Sequence, residues 1–200
     1  PDQFVTRTES LANRSLALAE GFLALARAES VAVESFAVFQ LLDAVCDARD
    51  EVWATAAELG VTLRLDSPQP GVWVHGSREL LSRAVMNLLT NAIKYSPHGA
   101  EVLVRLTPVA GTVEVRVTDR GPGIGATARD SLFKRFRRVK RTSLDDPGGI
   151  GLGLAFVKLV GDRHGGSVGV DSTPGAGSEF WLRVPEVPAP EESAQSDNPR

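Results

Sequence analysis

Apolar positions along this chain change period several times, and each change marks an element. Leu11, Leu18 and Leu25 recur every seven residues with Phe22 between them, which predicts a helix over residues 6–29 carrying one apolar seam. A partner helix or the chain's own core could cover that seam, because the repeat spans too few heptads to decide. Leu42, Val45, Val52, Ala56 and Leu59 predict a second amphipathic helix, with Gly60 placed as a left-handed cap. Val61, Leu63 and Leu65 then alternate with polar residues as a half-buried strand, and the turn-rich run from Ser67 to Gly71 leads into a short strand at 72–74. Ser77 is expected to cap a third helix, buried along Leu81, Val85, Leu88 and Ala92. Alternation resumes at Val102, Val104 and Leu106 and again at Val113, Val115 and Val117, an antiparallel hairpin turning at Ala110-Gly111.

Residues 126–148 lose periodicity apart from a helical piece around Phe133 and Phe136, and an irregular stretch of that length inside a compact domain predicts a lid. A helix from Leu152 to about Gly161 and strands near 168–170 and 178–184 follow. From 186 to 200 the Pro, Glu, Ser and Asp content predicts a disordered tail. The expected organisation is a helix and linker over 1–37, a compact domain over 38–185 and that tail.

Composition narrows the function classes. With 42% hydrophobic and 24% charged residues the chain can bury a proper core. A net charge of -3 argues against a general nucleic-acid binder, and no nucleic-acid partner is expected. The lid nevertheless concentrates Arg129, Lys134, Arg135, Arg137, Arg138, Lys140 and Arg141; a nucleic-acid patch has the same charge, but a lid over a triphosphate explains it without a second ligand. Cys46 has no second cysteine to pair with and reads as a small core residue. No window reaches the apolar length of a membrane span and the N-terminus has no signal-peptide pattern, so the chain reads as soluble and cytoplasmic. It begins at Pro1, and a longer parent is expected, whose membrane anchoring stays open.

Three stretches carry chemistry. On the third helix, Asn87, Asn91, Lys94 and Tyr95 fall at helical spacing on one face. Two carboxamide oxygens suit Mg²⁺ held jointly with phosphates, and Lys94 would offset phosphate charge; a solvated helix face is the plainer alternative. Asp119 ends an apolar strand and is followed by Gly121, Gly123 and Gly125. A carboxylate there can accept from the exocyclic amine of a purine while the glycines let backbone approach the ring, although a tight turn alone has the same pattern. Gly149, Gly151 and Gly153 open a helix continuing through Leu154, so bare amides and a positive helix end form a phosphate seat. A Walker loop is excluded, because no Lys-Ser or Lys-Thr pair follows these glycines.

In this order the boxes resemble the catalytic and ATP-binding domain of sensor histidine kinases, within the gyrase, chaperone, histidine kinase and mismatch-repair ATPase superfamily. The resemblance rests on Asn87 to Tyr95, Asp119 to Gly125, Phe133 to Arg138, Gly149 to Leu154 and the closing run from Gly175 to Phe180. It implies an α+β fold of Bergerat type, a two-layer α/β sandwich with a mixed, mostly antiparallel sheet and helices on one face, preceded by an N-terminal helix. It implies ATP and Mg²⁺ as cofactors, with Asn91 ligating the metal and Asn87 assisting. Lys94 and Arg138 would contact phosphates, Tyr95 would stack beside adenine and Asp119 would hold its amino group. Gly121, Gly123, Gly151, Leu152, Gly153 and Leu154 would line base and phosphates.

The helix over 6–29 resembles the second helix of a dimerisation and phosphotransfer hairpin, which implies a homodimeric parent. Phosphoryl transfer to a histidine outside this chain is implied, with relay to the receiver domain of a response regulator. His75, His98 and His164 lack the context of a phosphoacceptor, whose expected place is before Pro1. Position 87 is Asn where the hydrolytic relatives commonly have a glutamate base, which favours transfer over hydrolysis. A nucleotide-sensing module without turnover and a gyrase-like ATPase are the alternatives.

Overall fold

The computed structural model describes residues 2–67, 71–129, 131–137 and 150–190. Helix α1 (Asp2–Ser30) leads through a single 3-10 turn (Val33–Ser35) into strand β1 (Ala37–Gln40) and helix α2 (Leu41–Glu58). Strands β2 (Thr62–Asp66) and β3 (Trp73–Gly76), helix α3 (Arg78–Tyr95) and the hairpin β4 (Glu101–Val109) and β5 (Thr112–Asp119) follow. A short helix α4 (Ala126–Arg129), helix α5 (Gly153–Arg163) and strands β6 (Ser167–Ser172) and β7 (Ser178–Val187) complete the described chain.

The strands form one sheet in the order β1-β3-β7-β5-β4-β2, with β6 also on β7. The β2–β4 pair is parallel and the other pairs are antiparallel. The α+β reading with a mostly antiparallel sheet and a leading helix therefore holds. Alternation decides which face is covered: Val113, Val115 and Val117 of β5 and Phe180, Leu182 and Val184 of β7 are buried in the core with Leu81, Val85 and Leu88 of α3. Charged residues occupy the opposite face, where Glu114 bridges Arg116 and Arg183 at 2.7 Å each.

Local signals act where expected. The Ser77 hydroxyl accepts from the Leu80 amide and caps α3. Gly60 sits at φ +66 behind α2. Ala110 and Gly111 both take positive φ, the geometry a two-residue hairpin turn demands.

Several expectations are corrected. Strand β1 carried no signal in the sequence; its four residues pair with β3, with Ala37 and Val38 exposed and Phe39 and Gln40 half-buried. The helix expected around Phe133 and Phe136 forms earlier, as α4, and the phenylalanines lie in turns. Cys46 is half-buried rather than a core residue. The apolar seam of α1 is divided: Leu25 is 3% exposed against the chain's own core, whereas Leu11 is 60% exposed. Strand β7 pairs Val187 with Trp73, and β1 starts at Ala37, so the sheet reaches past both 38 and 185. Residues 191–200 of the expected tail and 138–149 of the expected lid lie outside the described residues.

Candidate nucleotide site

Helix α3 is apolar on one side, and its polar stripe faces a cavity of about 550 Å³ enclosed by α1, α3, α5 and the ends of β5 and β7. That volume lies within the range of small-ligand pockets. Asn87, Asn91, Lys94 and Tyr95 all line it, as the four-three-four spacing requires of one helical face. Lys94 Nζ stands 5.8 Å from the Tyr95 ring centre.

At the Tyr95 end sits Asp119, 5% exposed at the close of β5, where the core strand delivers it to the pocket floor. The Gly121 amide donates to Asp119 Oδ1 at 2.7 Å. Gly121 is absent from the lining, contrary to its expected place: it lies behind the carboxylate, where a Cβ would come within 2.8 Å of the Tyr95 carbonyl. Gly123 does line the pocket, at φ +69 and with a Cβ position 2.0 Å from the Thr173 carbonyl, so a larger residue there would displace backbone. The Ile124 amide donates to Ser172 Oγ, which fastens this loop to the β6–β7 turn.

The middle of the cavity is walled by Gly151, Leu152, Gly153 and Leu154. Leu152 is the N-cap of α5 and offers no side-chain oxygen, so the first-turn amides have neither a helical acceptor nor a cap. They form an anion seat beside Asn87, whose Oδ1 lies 2.9 Å from the Cβ position of Gly153. Gly151, at φ +76, accepts from the Phe136 amide through its carbonyl, which ties the segment around Phe136 to the glycine turn before α5.

The remaining end is closed by Arg83, Phe156 and the α1 residues Ala17, Glu20 and Gly21. Arg138 and Gly149 lie outside the described residues, whereas Arg137 lines the cavity.

The sequence pattern of the histidine kinase-, DNA gyrase B- and HSP90-like ATPases matches residues 76–188, more than half of the chain. The chain belongs to this ATPase family. The sensor-like histidine kinase SenX3 of Mycolicibacterium smegmatis is 43% identical over 143 residues, covering 72% of this chain and 36% of the relative. The sensor protein IrlS of Burkholderia pseudomallei is 33% identical over 171 residues, covering 83% of this chain and 35% of the relative. This ATPase-family chain thus spans about a third of the length of those relatives. Among solved structures, the mycobacterial sensor histidine kinase MprB superposes with a TM-score of 0.68 at 31% identity, covering 77% of this chain and 99% of that one. Full-length ShkA, solved in complex with AMPPNP, superposes with a TM-score of 0.76 at 28% identity, covering 94% of this chain and 39% of that one.

The donors that line this cavity fit a magnesium nucleotide. Among the described residues no cluster of three His, Cys, Asp or Glu side chains could hold a metal alone. Amide oxygens fit an ion held chiefly by phosphates and water, and Asn87 is oriented for this: its Nδ2 donates to the Arg83 carbonyl at 3.0 Å, which leaves Oδ1 for the cavity. Several lining groups escaped sequence reasoning, Ser178 and Arg83 among them. Ser178 stands opposite Asp119 in the β5–β7 register, a signal that exists only once the strands pair. Arg83 shares the helical spacing of Asn87 and Asn91 and was legible one turn earlier. Among the described helices none is long and apolar enough to cross a membrane.

Proposed function

We propose that this domain binds Mg-ATP and passes its γ-phosphoryl group to a histidine on a helix outside the chain, as the catalytic module of a two-component sensor kinase. One observation carries the reading: the asparagine face of α3, the Asp119 carboxylate and the bare amides of α5 meet in one cavity of nucleotide size. Asp119 accepts from the adenine amine, Tyr95 and Ile124 flank the ring, and the α5 amides with Lys94 hold the phosphates. Magnesium, held by Asn91 and Asn87, would neutralise phosphate charge and screen the approach of the nucleophile.

An imidazole nitrogen brings its own lone pair, so the pocket needs no base to create the nucleophile. Asn87 in place of a carboxylate supports this over hydrolysis. The N–P bond forms as the bond from the γ-phosphorus to the bridging oxygen breaks, ADP leaves with that electron pair, and the ring proton passes to solvent. Arg138 serves as a phosphate contact from the lid, and α1 continues the dimerisation helices of a homodimeric parent. The phosphohistidine then serves an aspartate on a response-regulator receiver domain.

The test supplies a phosphoacceptor hairpin of a related kinase in trans with labelled ATP. Acid-labile, base-stable label on the hairpin histidine, lost with Asn91→Ala or Asp119→Asn, is expected. Steady phosphate release by this chain alone would favour the hydrolase reading. A folded domain giving no heat with Mg-ATP or Mg-ADP would end the nucleotide reading.

A further inference from the structure

Arg83 lies one helical turn before Asn87, so residues 83, 87 and 91 form a line along α3 with about 12 Å between its ends. All three line the cavity. The guanidinium lies 5.6 Å from the ring centre of Phe156, a residue of the first turn of α5 that is 3% exposed. That cation–π contact draws the half-buried guanidinium toward α5. It therefore lines the cavity one turn before Asn87, against α5, in a pocket that α1 also lines.

Charge makes this placement informative. Glu20 of α1 lines the same end of the cavity, where an acid alone would repel a phosphate. Among the described residues no carboxylate lies within ion-pair distance of Arg83, and no acceptor engages its guanidinium nitrogens. A fork of donors suited to phosphate oxygens thus lines the cavity with no acceptor among the described residues using it.

We propose that Arg83 is a catalytic residue that binds the terminal phosphoryl oxygens of the nucleoside triphosphate. This rests on the ATP reading of the pocket and adds a contact that distinguishes triphosphate from diphosphate. The guanidinium meets only the group that is transferred, and it fixes that group in line with a nucleophile arriving from the α1 side.

The experiment titrates a non-hydrolysable Mg-ATP analogue and Mg-ADP into the wild-type chain, Arg83→Gln and Arg83→Lys, with thermal melts as a check on folding. Arg83→Gln should weaken the triphosphate about ten-fold or more and leave ADP within about two-fold, the size expected for a lost charge-assisted hydrogen bond. Arg83→Lys should recover part of the loss, since it keeps the charge without the fork. Equal weakening of both nucleotides would overturn the proposal and reduce Arg83 to a cover for Phe156. Unchanged affinity for both in Arg83→Gln would overturn it as well. A wild-type chain that binds neither nucleotide would overturn the ATP reading beneath it, a result distinct from either.

Discussion

Gly153 sets two residue-level effects against each other. Alanine in the first turn of α5 would favour the helix by up to about 1 kcal/mol. Its Cβ, however, would stand 2.9 Å from Asn87 Oδ1, on the cavity wall where the proposed phosphate contacts are made. Gly153→Ala should therefore keep or slightly raise Tm while weakening Mg-ATP about ten-fold, read by thermal melts and calorimetric titration. His164 is a second residue whose chemistry follows from its surroundings. Its Nε2 accepts from the Ser77 amide at 3.0 Å, its Nδ1 lies 2.7 Å from the Val160 carbonyl, and its ring stacks on Phe36 at 4.6 Å. Burial, with Arg163 and His75 nearby, holds its pKa below the usual 6.5 and keeps the ring neutral. The unfolded chain therefore takes up the proton first, so this contribution to stability is complete above pH 6.5 and is lost as pH falls through the folded value. His164→Gln can still accept from Ser77 but cannot titrate. Its Tm should fall less than that of the wild type between pH 7.5 and 5.5, and equal slopes would remove His164 as the cause.

Among the elements, α1 depends most on contacts made far along the chain. Ala24, Leu25 and Ala28 are buried, and Gly21 leaves room for Leu152, whose Cδ1 would be 2.7 Å from an added Cβ. Phe22 meets Phe136 at 5.6 Å between ring centres, Glu29 pairs with Arg135, and Arg163 donates to the Glu29 and Val31 carbonyls. Phe136 is held at φ +61, a backbone region that costs a bulky residue about 1–2 kcal/mol, so its contacts must offset that strain. Gly21→Leu should lift α1 from α5 by filling the notch that receives Leu152. Limited proteolysis should then cut in the linker at 31–36 while the sheet core stays resistant. An unchanged digestion pattern would mean that the notch is not what seats the helix.

At the scale of the whole molecule, the open face of the sheet is fastened by charge. Glu114 of β5, 5% exposed, bridges Arg116 on its own strand and Arg183 on β7, and Arg116 reaches Asp171 of β6 and Glu179 of β7. Burial opposes ionisation of Glu114, but the two guanidiniums outweigh it and hold the carboxyl below its usual 4.5. A depressed carboxylate contributes stability above the unfolded value and loses it as pH falls through the folded one. Thermal stability should thus drop below about pH 4.5. Glu114→Gln, melted at pH 7 and pH 4, should be less stable at neutrality and lose less on acidification.

Sequence alone determined whatever depends on residues close along the chain. Helical spacing put Asn87, Asn91, Lys94 and Tyr95 on one face of α3, Ser77 announced its cap, and Ala110-Gly111 announced the hairpin, because turns and helices are closed by neighbours. The order of the boxes also carried the family, since each box is itself a local pattern. Tertiary structure decided whatever depends on distant segments meeting. β1 has too little periodicity of its own and exists through pairing with β3; Ser178 reaches the pocket through its register with Asp119; and α1 closes the cavity because Gly21 fits Leu152. Gly121 shows the same division within one motif: its place in the run was legible, but its position behind Asp119 follows from where Tyr95 comes to rest. Local chemistry is written along the chain, whereas the walls of a cavity are chosen by packing between segments that the sequence keeps apart.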